Sequence, residues 1–244
     1  MIVQNEKNTK LRGITLRVYK KTGQAINDYQ MLESGDRILV AVSGGLDSLS
    51  LLKMLVLRRI RIPIDFEIIA CCVDNGFKKK YLENLHGHIE KQGVECITQR
   101  LMVSQKDIDC FWCSWNRRKI LFETARKTNC NKIALAHHLD DIIETIMLNL
   151  FAKGEISAMK PRLEMFGGKL TVIRPLSYLK KPEIKEFAAQ FDFPENNYKC
   201  PNEGKSKRAV LKNAVNRLEK DFPYIKRNIF RALRQSRIKQ DYLL

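Results

Sequence analysis

Ser43-Gly44-Gly45-Leu46-Asp47-Ser48 puts two hydroxyls, a carboxylate and two glycines into consecutive positions. That set suits a polyphosphate. Gly44 and Gly45 let the backbone approach phosphate oxygens and take a positive φ where required. Ser43 and Ser48 add hydroxyl donors, and Asp47 is placed to hold a magnesium ion against the phosphates. The flanks supply the geometry. Arg37–Val42 reads as a buried strand, and Leu49, Leu51, Leu52, Leu55 and Val56 recur at helical spacing after the glycines. A strand, a tight turn and a helix start then aim backbone N–H groups and a positive helix end at one anion site. A strand-to-helix turn with an ordinary Ser/Asp cap is the plainer alternative. The full Ser-Gly-Gly-x-Asp-Ser string is more specific than that, and it lacks the Gly-Lys-Ser/Thr ending of a Walker A loop.

The second chemical group is Cys110-Phe111-Trp112-Cys113. A structural zinc knuckle, a redox pair and an iron–sulfur site all begin with this spacing. Four closed ligands are usual for structural zinc, and the only other cysteine in a polar setting is Cys200. Three thiolates suit a cluster with one open iron, so zinc and iron–sulfur stay open at this point. Cys71, Cys72, Cys96 and Cys130 sit in apolar strands and helix ends and read as buried thiols. His137-His138 reads either as a general base or as a histidine fixing a loop. Asp140-Asp141 reads either as a magnesium site or as an acidic helix start. Trp112 and Trp115 could stack on a base or shield a cluster.

The elements that must position these groups alternate. Strands are expected at Arg37–Val42, Phe66–Val73, Val94–Arg100, Lys132–Ala136 and Leu170–Ile173, with helices at 81–92, from after Cys113 to 129, and 140–151. This pattern predicts an α/β fold: a doubly wound, parallel five-stranded sheet with small helical N- and C-terminal appendages. Ser43, Asp74 and His137 fall at carboxyl ends of strands, where ligands gather in such sheets. The expected divisions are a helical lead-in over 1–34, a nucleotide-binding domain over 35–195 and a basic helical appendage over 196–244. In the appendage, Val210, Leu211, Val215 and Leu218 are expected to form the packing face of one helix, and Ile225, Ile229 and Leu233 that of the next.

Charge narrows the partners. The 244 residues carry a formal charge of +17, and Lys199–Gln240 holds 13 basic residues against 3 acidic ones. So concentrated a positive charge suits a nucleic-acid backbone. The first residues have no apolar signal region, and no apolar run approaches the ~18 residues of a membrane span. A cytosolic protein without a membrane is expected, and seven cysteines in a reducing compartment argue for thiols or a metal rather than disulfides.

Several segments together resemble one family. The glycine-serine string resembles the PP-loop of ATP pyrophosphatases. Cys110-x-x-Cys113-x-x-x-Arg117-Arg118, Lys132–Asp141, Val172-Ile173-Arg174-Pro175-Leu176, and Cys200 with Arg208 resemble, in the same order, segments of the tRNA 2-thiocytidine synthetase (TtcA) family. The resemblance implies a 4Fe-4S cluster on Cys110, Cys113 and Cys200, with ATP and Mg²⁺ adenylating the carbonyl oxygen of a tRNA base before sulfur displaces AMP. It implies that Asp47, Asp140 or Asp141 holds magnesium and pyrophosphate, and that Arg117 or Arg118 neutralises developing charge. Val42, Val73 and Asp74 would flank the adenosine, beside Ser43, Gly44, Gly45, Ser48 and His137. Implied partners are tRNA and a sulfur donor, either free sulfide or a cysteine desulfurase or sulfur carrier, with a homodimer as the assembly. Leu46 departs from the pattern, because the resemblance leads one to expect lysine there; one phosphate-facing charge is then missing or supplied elsewhere. The rival readings are a 2-thiouridine synthetase, a sulfur-handling relative acting on a small molecule, and a non-catalytic RNA-binding iron–sulfur sensor.

Overall fold

The computed structural model describes residues 9–74, 79–101, 110–195 and 207–235. Its elements run α1 (Gly13–Asp28), β1 (Asp36–Val42), α2 (Leu46–Arg59), β2 (Phe66–Asp74), α3 (Lys79–Glu90), β3 (Glu95–Arg100), α4 (Cys110–Lys127), β4 (Lys132–Ala134), α5 (Leu139–Lys153), β5 (Arg162–Met165), β6 (Leu170–Ile173), α6 (Lys181–Ala188), α7 (Lys207–Asp221) and α8 (Ile225–Gln235).

The strands form one sheet in the order β3-β2-β1-β4-β6-β5, parallel except for β5 against β6. The sheet therefore has six strands among the described residues where five were expected. The additional strand, Arg162–Met165, returns through Gly167 and Gly168, both with positive φ, into β6. It pairs along one edge only, so it lacks the apolar run that marks the buried strands. Its residues are mostly half-buried, whereas all of β6 is buried.

Alternation along β1 and β2 fills both faces of the sheet. Ile38, Val40 and Val42 join Ile68, Ala70 and Cys72 under α1, α2, α3 and α6, while Leu39, Ile69, Cys71 and Val73 join Leu121 and Ala125 of α4 on the other side. The lead-in helix α1 is built into the first of these cores through Ile14, Val18, Ala25 and Ile26. Buried Asp36 accepts from Lys132 Nζ at 2.7 Å and from Asn131 Nδ2 at 2.8 Å, pinning the amino ends of β1 and β4 to one another. Because the chain winds outward through β2 and β3 and returns to β4 on the other side of β1, the carboxyl ends of β1 and β4 enclose the switch point of the sheet.

The chain divides into two compact units, Met1–His138 with Lys160–Asn202, and Leu139–Met159 with Glu203–Leu244. In the second, Leu139, Ile142, Ile143 and Ile146 of α5 share a core with Val215 of α7, packed by Ile229 and Phe230 of α8. The α7 face is narrower than its periodicity suggests: Val215 is buried, but Val210 is 69% exposed and Leu218 41%.

Candidate functional site

β1 ends at Val42, and the chain turns through Ser43 and Gly44 (φ +77°) onto Gly45, the N-cap of α2. Only a glycine adopts that value at Gly44 without strain. Ser48 holds the turn closed, accepting from the Ser43 N–H at 3.2 Å and donating from its own hydroxyl to Gly45 O at 2.8 Å. The Tyr81 hydroxyl of α3 donates to Gly44 O at 2.9 Å. Burial, with Cys72 alongside, pushes the Tyr81 pKa up to about 12, so it stays a donor. With its carbonyls turned to these partners, the loop offers N–H groups at the start of α2 to an anion.

Asp47 lies in the first turn of α2 and meets two residues from other elements. Lys181 Nζ, at the start of α6, is 2.6 Å from Asp47 Oδ1 and also bonds Oδ2. His138 Nε2, just beyond β4, is 4.0 Å from Asp47 Oδ2. The sheet thus brings the glycine-serine turn and the His137-His138 segment together, as the strand-end argument expects. His137 accepts from Arg174 Nε at its Nδ1, 3.2 Å away, which puts the proton of the neutral ring on Nε2. This favours a donor or loop-fixing histidine over a general base acting through Nδ1. Arg174 is buried and also donates to Lys160 O. Burial, and then the nearby charge of Arg118, lowers its pKa to about 10.

Val42 and Val73 point into the cores on opposite faces of the sheet, so only their backbone edges reach the crevice; Asp74 is buried at the end of β2. Arg117 and Arg118 follow Cys113 on α4, with Arg118 donating to Ser114 Oγ at 3.4 Å. α4 begins at Cys110 rather than after Cys113, so the two cysteines lie one helical turn apart in its first turn. Trp112 and Trp115 are exposed, and Cys113 packs partly buried against the core of its face. Cys200 lies outside the described residues.

A family model for the PP-loop domain matches residues 14–218. The tRNA-cytidine(32) 2-sulfurtransferase of Burkholderia cenocepacia is 39% identical over 227 residues, covering 89% of this chain and 68% of the relative. That of Syntrophotalea carbinolica is 37% identical over 230 residues, covering 89% and 88%. The chain belongs to the PP-loop family of tRNA-cytidine(32) 2-sulfurtransferases. Among solved structures, the U34-tRNA thiolase NcsA from Methanococcus maripaludis with its [4Fe-4S] cluster superposes with a TM-score of 0.74 at 22% identity, covering 90% of this chain and 77% of that one, which establishes the shared fold.

Within this PP-loop family member, the donor chemistry at α4 fits an iron–sulfur group: a thiol one turn into the helix, next to exposed aromatic rings and two arginines. A different set of donor atoms, from Cys72, His86 and Cys96, lies within 4.8 Å of one another. Cys72 and Cys96 are 3.6 Å apart, and the hydrogen bond between them, with burial, raises the Cys72 pKa. Burial pushes Cys71 up to about 11. Cys71 and Cys72 are therefore buried thiols held in the protonated form, and His86 is engaged by Thr98.

Asp140 and Asp141 open α5 in the second unit. Asp140 is paired with Lys226 Nζ at 2.7 Å, and the same ammonium meets Glu219 at 2.7 Å and Asn216 Oδ1 at 3.0 Å. Nothing in the local pattern of α8 distinguishes Lys226 from its basic neighbours; Lys181 and Tyr81 are equally hidden, and Arg174 is marked only by the segment it belongs to. Each acts through a contact with an element far away in sequence.

Proposed function

We propose that this chain is an ATP-dependent tRNA sulfurtransferase that converts cytidine 32 to 2-thiocytidine. The convergence of the PP-loop, Asp47 and the His137-His138 segment at the switch point of the sheet supports this reading in a chain of this family. The oxygen on the amide-like C2 of cytosine is a poor leaving group. That oxygen, O2, attacks the α-phosphorus of ATP and pyrophosphate departs; sulfide then attacks C2 and AMP departs. No electron is gained or lost overall.

In this scheme Ser43, Gly44, Gly45 and Ser48 hold the departing pyrophosphate, and Asp47 holds the magnesium ion. Asp141 keeps the proposed part of a metal-holding carboxylate, while Asp140 is committed to Lys226. The backbone edges of Val42, Val73 and Asp74 border the adenosine. Arg117 and Arg118 neutralise charge on the adenylated oxygen, and His137, oriented by Arg174, donates from Nε2. Cys110, Cys113 and Cys200 would hold a 4Fe-4S cluster, which when bound would supply an iron able to take up sulfide. The sulfur comes from free sulfide or from a cysteine desulfurase or carrier, and the enzyme works in the cytoplasm as a homodimer. No helix among the described residues is long and apolar enough to cross a membrane.

The test is anaerobically reconstituted protein with unmodified tRNA, Mg-ATP and sulfide, followed by nucleoside mass spectrometry. New 2-thiocytidine with AMP release is the expected result. 2-Thiouridine would overturn the choice of base. No thionucleoside, with iron bound and ATP intact, would overturn the enzyme reading in favour of an RNA-binding sensor.

A further inference from the structure

The six-residue PP-loop of this chain has no cation of its own. Leu46, between the second glycine and Asp47, is apolar and 43% exposed. Yet a nucleoside triphosphate brings four negative charges to a loop that already carries the Asp47 carboxylate, and one magnesium ion offsets only two. Backbone N–H groups and hydroxyls supply partial charges alone.

We propose that Lys181, from the start of α6, is the phosphate-binding cation of this loop, held against Asp47 until Mg-ATP arrives. Its ammonium lies 2.6 Å from Asp47 Oδ1 and bridges to Oδ2, although 134 positions separate the two residues. Both side chains are about one-third exposed, so the pair faces the crevice rather than the core. The helix that carries Lys181 is fixed from several sides. Ile184, Phe187 and Ala188 are buried, and the Lys180 N–H donates to Glu183 at 3.0 Å. Glu183 is in turn held by Lys21 of α1 at 2.8 Å. The lysine stem therefore starts from a rigid point beside the loop and keeps enough freedom at its end to turn from a carboxylate to a phosphate. In the nucleotide complex Asp47 exchanges the ammonium for magnesium, and Lys181 exchanges the carboxylate for phosphate oxygens. Opposite charges remain paired throughout.

This inference rests on the proposed phosphate site, and the test separates the two. Mg-AMPPNP affinity is measured by calorimetry on the reconstituted full chain for Lys181→Met, Lys181→Met/Leu46→Lys and Asp47→Ala, each checked by thermal melting. Lys181→Met is expected to weaken binding about tenfold, the loss of one charge-assisted hydrogen bond. Adding Leu46→Lys should return most of it, because a cation entering from the loop itself restores the charge without rebuilding the α6 contact. A merely structural ion pair would not respond to that rescue. Unchanged affinity in Lys181→Met with strong loss in Asp47→Ala overturns the role of Lys181 alone. Full affinity in all three variants overturns the phosphate site itself. A weakened Lys181→Met that Leu46→Lys fails to restore, with wild-type melting, also overturns the charge-supply role.

Discussion

Arg174 stands in a segment that carries the family resemblance, but its contacts show what it does there. Its guanidinium is buried, spans His137 Nδ1 and Lys160 O, and keeps one tautomer of the histidine. A lysine offers a point charge on a flexible stem and cannot hold both acceptors in one plane. Arg174→Lys is therefore expected to slow ATP-dependent thiolation about tenfold while leaving Mg-AMPPNP affinity close to wild type. If Arg174 works through His137, then His137→Ala combined with Arg174→Lys should lose no more activity than His137→Ala alone. Additive losses in single-turnover assays would show that the arginine acts by another route. Residue type leaves the proton position at His137 open, whereas the Arg174 hydrogen bond to Nδ1 puts the proton of the neutral ring on Nε2.

At the scale of elements, Lys226 links α7, α8 and α5. Its side chain is 7% exposed and meets the carboxylates of Asp140 and Glu219. Burial alone would lower its pKa, but the two carboxylates outweigh burial and leave it raised. A raised lysine pKa contributes stability fully below the ordinary value and loses it as pH rises through the folded one. Removing the ammonium also takes away the cation that Asp140 and Glu219 both meet. Lys226→Met is expected to cost about 3 kcal/mol in denaturant unfolding at neutral pH. The deficit relative to wild type should narrow only in strongly alkaline buffer. A deficit constant with pH would place the effect in packing instead.

The same pair marks where sequence reasoning runs short. The strands β1 and β2, the PP-loop turn and the helix after it were legible because buried runs, paired glycines and helical periodicity are local signals. The edge strand β5 was not, since a strand paired on one side and half-buried shows no such run. α4 begins at Cys110, ahead of the helix that the sequence predicts after Cys113, since the Cys110-x-x-Cys113 spacing does not itself show whether the string is helical. Lys181 and Lys226 are not legible as site or core residues, and Arg174 is legible only as part of a resembling segment, because their partners are supplied by the fold. The overestimated face of α7 has a related cause. Val210, Leu211, Val215 and Leu218 recur at helical spacing, yet the neighbouring helices cover Val215 and leave Val210 and Leu218 exposed.

Across the whole molecule, the net charge of +17 sets how tRNA binding should respond to salt. Not every basic residue of the C-terminal helices contributes. Lys226 is neutralised inside the second unit, whereas Lys212, Arg217, Lys220, Arg227 and Arg231 are exposed along α7 and α8. Each exposed cation that meets a phosphate releases a counterion, so the logarithm of affinity falls linearly with the logarithm of salt. Replacing one of these five by alanine should weaken binding to any tRNA by a similar factor and reduce that slope by about 1. Arg217→Ala/Arg227→Ala should reduce it by about 2 if both face the backbone. Lys226→Met, compared at temperatures where it is folded, should leave the slope unchanged, since its charge is already spent. Filter binding across a salt series checks all of these together. A slope insensitive to the exposed residues would make the basic helices a solvated surface, and tRNA affinity would then have to come from cations of the first unit, such as Arg117 and Arg118 beside Cys113.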